Sequence, residues 1–417
     1  MLERIAAKLD ALNAETRFDV VNPSDGAVIA RIPDLDAAHA EEAVARARTA
    51  QADWAALTAR ERCSILRRWH DLILSAEREL GEILTLEQGK PLAEARREVS
   101  FNAAYIEWFA EEAKRAYGDV IPTSAASRRQ IVIRQPVGIV GAITPWNFPS
   151  GMITRKAAPA LAAGCVIILK PSDETPLSAL ALEVLAEEAG FPPGVFQVVT
   201  ARDPAPIASV LTGHADIRKL SFTGSTRVGK LLMQQSAATM KRLSLELGGN
   251  APFIVFEDAD IDAAVAGAMV AKFRNAGQTC ICANRILLHT AIRDEFLAKF
   301  AAAADAMNVS DGFDPACDMG PMINPAAKRK VTQLVEGALS DGARRITARV
   351  PEEAGNFHPP TILTDVTSDM DIASTEIFGP VAPVFTFDTD AQAIALANDT
   401  PYGLAAYFWT RDYSRAW

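Results

Sequence analysis

The chain has 417 residues, 49% of them apolar and 23% charged, which is enough for roughly two to four domains with sizeable cores. Its formal charge of −10 argues against a general nucleic-acid binder, because such proteins need clustered basic residues. The apolar run at 157–169 contains Pro159 and is shorter than the ~20 residues of a membrane span. Five cysteines form no disulfide framework, and the N-terminus has no secretory pattern. We therefore expect a cytoplasmic enzyme with no nucleic-acid or membrane partner.

The first hundred residues follow a helical pattern. Apolar residues recur every ~3.6 residues over 41–54 and 61–86, which predicts two amphipathic helices. Asp34 and Asp36 are candidate caps just before the first of them. Residues 94–117 form a third candidate helix.

After residue 130 the pattern changes to short apolar strands that alternate with helices. Predicted strands lie at 130–134, 137–143, 166–169, 195–199, 219–222 and 243–247. Predicted helices lie at 176–189, 203–212 and 225–238. A second block after Gly248 has strands at 253–256 and 286–289 and helices at 262–273 and 294–307. This alternation is typical of βαβ units and predicts an α/β fold with parallel sheets.

The most informative segment is KFRNAGQTCIC at 272–282, where Cys280 follows a predicted helix in a turn. A thiolate exposed there could act as a nucleophile, although a buried structural cysteine is the common alternative. The spacing to Cys282 fits neither a C-x-x-C redox motif nor a zinc site, so we predict no metal. A nucleophilic cysteine needs a base or aligned dipoles, and none of the five histidines lies in a site-like segment.

Glu246 is the better candidate for the base. It lies in the segment LSLELGG at 243–249, at the end of an apolar strand before two glycines, where a carboxylate would be partly desolvated and suited to general-base catalysis. The alternative is a strand-end carboxylate with a purely local role.

Two segments at predicted strand ends suggest a nucleotide. SFTGSTRVG at 221–229 enters a helix through Gly224 and Ser225, and free amides at a helix N-terminus can bind a phosphate. The segment is not G-x-G-x-x-G, and an ordinary serine N-cap is the alternative. Lys170 and Asp173 follow another strand, at the edge where open α/β sheets bind ligands. Either residue could instead be a polar loop residue.

TPWNFP at 144–149 is a rigid turn in which Asn147 is either a fixed hydrogen-bond donor or a structural residue. Together with LELGGNAP at 245–252, GQTC at 277–280 and EIFGP at 376–380, this segment resembles the aldehyde dehydrogenase superfamily. The motifs occur in the family's order and spacing. The resemblance covers essentially the whole chain.

The resemblance implies a Rossmann-like, parallel-sheet NAD(P)-binding domain at 1–117 and 136–247. It further implies an α/β catalytic domain at 248–417 and bridging, oligomerisation strands at 118–135. Relatives of this family are homodimers or homotetramers. They continue beyond the position of Trp417, so we expect an incomplete bridging element without the C-terminal oligomerisation strand.

The resemblance also implies a thiohemiacetal mechanism on a small-molecule aldehyde. Cys280 would attack the aldehyde carbon, and the Asn147 amide and the Cys280 backbone N–H would hold the oxyanion. Hydride would pass to the nicotinamide and leave a thioester on Cys280. Glu246 would then activate the water that hydrolyses this thioester.

For the cofactor, the resemblance implies NAD as the preferred choice and NADP as the alternative. Lys170 and Asp173 would hold the adenosine ribose, since a carboxylate favours a free 2′-hydroxyl. Ser225 would hold the pyrophosphate and Glu376 the nicotinamide ribose, with Phe378 beside the ring. The other implied cofactor contacts are Thr144, Pro145, Trp146, Ser172, Gly224 and Leu247.

Two further segments, MITRK at 152–156 and KFRN at 272–275, resemble the succinate-semialdehyde dehydrogenase branch of the family. In that branch the counterparts of Arg155 and Arg274 bind the distal carboxylate, which Arg can do with two parallel hydrogen bonds. The expected substrate is succinate semialdehyde or the longer glutarate semialdehyde. The alternatives are that Arg274 only caps the preceding helix, and that the substrate is another small aldehyde.

Cys282 matches a cysteine of this branch that pairs with the nucleophile under oxidation, so it is a candidate redox switch.

A competing hypothesis for the whole chain is a truncated, non-catalytic remnant that binds a cofactor or has a regulatory role.

Overall fold

The computed structural model describes residues 1–10, 14–350 and 355–417, and these residues divide into two compact units. The first unit contains Met1–Val21, Val28–Glu87 and Ala93–Glu246. The second contains Asn22–Ala27, Gln88–Leu92 and Leu247–Trp417. No helix among the described residues is long and apolar enough to cross a membrane. The functional assignment of the domain ranges stays a prediction.

The N-terminal part is mostly helical, as predicted, but it also contains a hairpin. Its helices are α1 (Leu2–Asp10), α2 (Ala37–Ala56), α3 (Ala59–Ser75), α4 (Glu77–Gln88) and α5 (Leu92–Glu112). Strands β1 (Arg17–Val21) and β2 (Val28–Pro33) pair antiparallel, so the helical prediction is wrong there. In β1 the buried residues Phe18 and Val20 alternate with exposed ones. This alternation is too short to be told apart from a helical pattern in the sequence. The helix predicted at 61–86 is two helices, because the chain bends at Ala76.

The rest of the first unit has the predicted βαβ organisation. Its strands are β3 (Asp119–Ile121), β4 (Gln130–Val132), β5 (Ile139–Ile143), β6 (Ile167–Lys170), β7 (Phe196–Val198), β8 (Ile217–Thr223) and β9 (Arg242–Glu246). Its helices are α6 (Pro149–Ala162), α7 (Pro176–Ala189), α8 (Pro204–Gly213) and α9 (Thr226–Ser236). The last five strands form a parallel sheet in the order β7-β6-β5-β8-β9. β3 and β4 form a separate, exposed antiparallel pair.

The second unit has its own sheet, so the predicted α/β fold class is confirmed. Its strands are β10 (Ala251–Val255), β11 (Ala283–His289), β12 (Arg344–Arg345), β13 (Thr361–Thr364), β14 (Val381–Phe387) and β15 (Tyr407–Trp409). Its helices are α10 (Ile261–Phe273), α11 (Arg293–Ala306), α12 (Pro325–Ser340), α13 (Asp371–Ser374), α14 (Asp390–Asn398) and α15 (Tyr413–Ala416). The strand order is β12-β13-β14-β11-β10-β15, and only the β12–β13 pair is antiparallel.

A buried carboxylate replaces an N-cap side chain at α7. Thr175 makes no side-chain cap bond there. Instead, Glu87 of α4 accepts hydrogen bonds from the backbone N–H groups of Leu177 (2.7 Å) and Ser178 (2.9 Å). Burial raises the pKa of Glu87 to about 8, although these hydrogen bonds oppose the rise.

We predict that the wild-type protein loses stability relative to a Glu87→Gln variant as the pH rises from about 5 to about 8. Over this window the folded state keeps a proton on Glu87 that the unfolded state has already released, so unfolding becomes more favourable as the pH rises. The effect reaches up to about 1.4 kcal/mol per pH unit. Urea unfolding across the window measures it. The control is Glu111→Gln, because ion pairs on the surface lower the pKa of Glu111. A stability difference for Glu87→Gln that does not vary with pH would contradict the prediction.

Candidate active site

The carboxyl edge of the parallel sheet in the first unit gathers several predicted site residues. They are Thr144, Lys170, Gly224 and Glu246, at the ends of β5, β6, β8 and β9. The Thr144 N–H donates to the Lys170 carbonyl (3.1 Å), and the Gly224 N–H donates to the Glu246 carbonyl (3.0 Å). The chain leaves β5 toward β6 on one side and returns to β8 on the other. Ligands of open α/β sheets bind at such a reversal of strand order.

Two buried hydroxyls at this edge fit a polar ligand. Thr144 Oγ1 and Thr223 Oγ1 are buried, and neither has a hydrogen-bond partner in the part of the chain that the structure describes. Buried polar atoms are almost always hydrogen-bonded. A nucleotide at this edge would supply the missing partners, so the residues present fit a dinucleotide cofactor.

Ser225 caps the helix that follows β8. Its side-chain oxygen accepts a hydrogen bond from the Val228 N–H at 3.3 Å. The N-cap alternative is therefore confirmed. The phosphate contact of Ser225 stays a prediction.

Lys170 is 3% exposed and lies among carboxylates. Burial lowers the pKa of Lys170, while Asp173, Asp203 and Asp34 oppose this and favour its charged form. The Ser172 hydroxyl donates to Asp173 at 3.4 Å. These three carboxylates would repel an additional phosphate group beside Lys170.

The loop from β5 to α6 holds Asn147, which is 2% exposed. Its neighbours Pro145 and Trp146 are half-buried. Phe148, the N-cap of α6, makes no side-chain cap bond. Instead, the Glu98 side chain of α5 accepts hydrogen bonds from the N–H groups of Ser150 (3.1 Å) and Gly151 (3.4 Å) at the start of α6. A buried carboxylate thus fixes α6, which begins two residues after Asn147.

Arg155 lies on the same helix and is held by a residue that sequence analysis missed. Its Nε donates to the Gly151 carbonyl (3.2 Å), and its Nη2 donates to the Tyr105 hydroxyl (3.2 Å). The guanidinium also stacks 5.0 Å from the centre of the Tyr105 ring. Tyr105 lies on α5 and Arg155 on α6, so no local pattern in the sequence predicts this contact.

Glu246 is exposed, so the expected partial desolvation is wrong. The reason is that β9 is the last strand of its sheet and has few neighbours on its outer side.

A second missed residue, Lys156, is buried, and its Nζ donates to the Ser221 hydroxyl (3.1 Å). Burial lowers the pKa of Lys156 to about 8, and attraction to the Glu246 carboxylate opposes this shift.

In the second unit, Cys280 is half-buried in a turn between α10 and β11, as predicted. The backbone before it is unusual, because Asn275 (φ 53°), Ala276 (φ 54°) and Gly277 (φ 69°) are all left-handed. Such strain in non-glycine residues persists only where the surroundings enforce it. A Cβ at Gly277 would overlap the Gly379 carbonyl oxygen, so a glycine is required at this point.

A pair of glycines brings Cys280 and Glu376 together. The Gly249 N–H donates to the Glu376 carboxylate at 3.0 Å. A Cβ at Gly248 would lie 2.5 Å from the other carboxylate oxygen, and a Cβ at Gly249 would overlap the Cys280 carbonyl oxygen. Leu247 directly precedes this turn. The Glu376 carboxylate therefore packs on both glycines, and the Cys280 carbonyl packs on Gly249.

Glu376 has a cationic neighbour that sequence analysis also missed. Lys330 of α12 donates a hydrogen bond from Nζ to the Glu376 carbonyl at 2.7 Å. Burial raises the pKa of Glu376, while the Gly249 N–H and Lys330 oppose the rise. Phe378, two residues on, has a positive φ of 56°.

Arg274 is the C-cap residue of α10 and is exposed. Cys282 is 4% exposed, and its Sγ donates to the Lys272 carbonyl at 3.4 Å. The Tyr407 hydroxyl donates to the Ile281 carbonyl, between the two cysteines, at 2.7 Å. The redox role of Cys282 stays a prediction.

The sheet edge of the first unit fits a dinucleotide, and the second unit has Cys280 directly after a strained loop. The model of the aldehyde dehydrogenase family matches residues 11–417. The chain belongs to this family and is an oxidoreductase that acts on aldehydes, which confirms the resemblance found in the sequence.

Several relatives are about half identical to the chain. A 3-sulfolactaldehyde dehydrogenase of Pseudomonas putida is 53% identical over 95% of this chain and 82% of its own length. The NADP-dependent succinate-semialdehyde dehydrogenase GabD of Escherichia coli is 52% identical over 98% of this chain and 84% of its own. A glutarate-semialdehyde dehydrogenase of Pseudomonas aeruginosa is 50% identical over 98% and 84%. A solved aldehyde dehydrogenase from Brucella melitensis superposes with a TM-score of 0.95 at 57% identity, covering 97% of this chain and 84% of that one.

We predict that Gly277→Ala lowers kcat for aldehyde oxidation by about 10²-fold or more, because the added methyl group displaces the Cys280 loop from the Gly379 carbonyl. Initial rates at saturating substrate measure this.

Gly337→Ala is the matched control, because a Cβ at Gly337 in α12 meets nothing within 4 Å. It should stabilise the protein by about 0.5–1 kcal/mol and leave kcat unchanged. Wild-type kcat in a folded Gly277→Ala protein would contradict the role of the close contact.

Proposed function

We propose that this protein oxidises succinate semialdehyde or glutarate semialdehyde to the dicarboxylic acid with NAD or NADP. The observation that carries the substrate class is Arg155, which Tyr105 holds in place on α6, the helix that begins two residues after Asn147. In a chain with a formal charge of −10, an ordered guanidinium is suited to bind a distal carboxylate. The names of the semialdehyde dehydrogenases at 50–52% identity support this substrate class.

In the proposed mechanism, Cys280 Sγ bonds to the aldehyde carbon and forms a thiohemiacetal. The Asn147 amide and the Cys280 N–H donate hydrogen bonds to its oxyanion, and one such donor is typically worth about 10²–10³ in rate. The thiohemiacetal carbon then loses its hydrogen as a hydride, for which the nicotinamide, when bound, would supply the acceptor, and a thioester remains on Cys280. Glu246 then takes a proton from water, whose oxygen attacks the Cys280 thioester. The acid leaves, and the Cys280 thiolate is regenerated.

We propose that the cofactor lies at the carboxyl edge of the first unit's sheet, with Lys170, Asp173 and Ser225 at its adenosine end. NAD is the preferred cofactor, because the carboxylates around Lys170 repel a 2′-phosphate. NADP remains the alternative, since the Escherichia coli relative is named for it. On this basis the first unit is the cofactor-binding domain and the second the catalytic domain.

A second candidate substrate is 3-sulfolactaldehyde, because the Pseudomonas putida relative at 53% identity is named a 3-sulfolactaldehyde dehydrogenase. Its sulfonate is also an anion that Arg155 and Arg274 could bind. The non-catalytic alternative is not favoured, since the compared relatives carry the names of dehydrogenases.

We also propose a cytoplasmic location and assembly into homodimers or homotetramers. Cys63, Cys165, Cys282 and Cys317 form no disulfide, which is typical of a reducing compartment. The β3–β4 pair exposes Val120 and Ile131, and exposed apolar strands favour pairing with another chain.

We predict that Arg155→Ala and Arg274→Ala each raise KM for succinate semialdehyde by about 10-fold or more, since a hydrogen bond to a charged group contributes about 1.5–3 kcal/mol. The KM for butanal, a neutral aldehyde of the same chain length, should stay within about 3-fold. Initial rates of NADH or NADPH formation measure both.

Arg31→Ala is the matched control, because Arg31 pairs with Asp19 on the surface of the first unit. The same assay on the wild-type protein compares the two semialdehydes, 3-sulfolactaldehyde and both cofactors. Equal losses on the acidic and the neutral aldehyde would contradict the proposed carboxylate site. A strong preference for NADP would contradict the argument from Asp173.

A further inference from the structure

The loop that carries Glu376 is held from both sides by one side chain. Asn284 lies in β11, and its Nδ2 donates to the Thr375 carbonyl at 2.9 Å. Its Oδ1 accepts a hydrogen bond from the Ile377 N–H at 3.2 Å. Thr375 and Ile377 are the residues directly before and after Glu376. A single amide thus clamps the backbone on both sides of this carboxylate.

The clamp is itself fixed by a second amide. Asn284 Nδ2 also donates to Asn250 Oδ1 at 2.6 Å, and Asn250 Nδ2 donates to the Ala373 carbonyl at 3.0 Å. Asn284 is 2% exposed and Asn250 is 3% exposed. Water cannot replace these bonds at such burial, and an unpaired buried group carries the full cost of its desolvation. The donor and acceptor pattern therefore allows only one orientation of the Asn284 amide.

The clamp connects an irregular loop to a rigid support. β11 is paired on both sides, with β10 and β14, whereas the residues around Glu376 belong to no helix or strand. Asn284 also lies only four residues after Cys280. The strand that follows the nucleophile therefore sets the position of Glu376.

We propose that Asn284 is a positioning residue for cofactor binding, and that it acts by clamping the backbone on both sides of Glu376. The proposal rests on the proposed function, in which Glu376 holds the nicotinamide ribose. Asn284 touches neither the substrate nor the cofactor in this account. It keeps the Glu376 carboxylate against the Gly249 N–H, where the carboxylate is ordered before the cofactor arrives.

The first test measures the Kd of NADH or NADPH by fluorescence titration without aldehyde. Asn284→Ala should raise this Kd about 10-fold, and raise KM for the oxidised cofactor similarly, with KM for the aldehyde within about 3-fold. Thr361→Val is the folding control, because Thr361 is also buried and donates to a backbone carbonyl. It should lower Tm without changing the Kd. An unchanged Kd in Asn284→Ala would overturn the proposal.

Asn284→Asp keeps the proposal testable if Asn284→Ala fails to fold. A protonated aspartic acid has one donor and one acceptor and can reproduce both clamp bonds, whereas a carboxylate can only accept. We expect near wild-type cofactor affinity at low pH and a loss at high pH that the wild-type protein does not show. A Kd with the same pH dependence in both proteins would contradict the clamp.

A double-mutant cycle separates this proposal from the proposed function. If Asn284 acts through Glu376, Asn284→Ala should have no further effect on the Kd in a Glu376→Ala background. Additive effects would overturn the proposal. An unchanged Kd in Glu376→Ala alone would instead refute the assignment of Glu376 to the cofactor.

Discussion

The absence of side chains at Gly248 and Gly249 is the constraint on which the proposed catalytic site of the second unit depends. The Glu376 carboxylate packs on this turn at both glycines, and the Cys280 carbonyl packs on it at Gly249. Any larger residue would displace the carboxylate or the Cys280 loop. Glu246, the proposed base, is only two residues before the turn. Three proposed roles are therefore linked through one short stretch of backbone.

The rest of the second unit stabilises this arrangement. The left-handed residues before Cys280 direct the loop toward Gly379, and Gln278 anchors it by accepting the Ile323 N–H at 2.9 Å. Asn284 clamps the Glu376 loop from the strand that follows the nucleophile. Strained backbone is found at functional sites, where the chemistry needs a fixed geometry. The buried hydrogen bonds to this loop and to the sheet offset the energetic cost of the strain.

The fold class and the turn that holds Cys280 were predictable because they depend on local patterns. Alternating strands and helices indicate a parallel sheet, and Cys280 lies in its predicted turn. Tyr105, Lys156 and Lys330 were not predictable, because their roles arise from contacts between separate elements. The exposure of Glu246 follows from the place of β9 at the edge of the sheet, and strand order has no local signal.

In the proposed mechanism, the reaction passes through a thioester on Cys280 that Glu246 helps to hydrolyse. Stopped-flow recording of NADH or NADPH formation by Glu246→Gln, with succinate semialdehyde, tests it most directly. We expect a burst of about one reduced cofactor per active site, then turnover about 10²–10⁴-fold slower than wild type. Mass spectrometry of the quenched protein should find the acyl group on Cys280. Wild-type steady-state turnover without a burst, or an acyl group on another residue, would contradict the account.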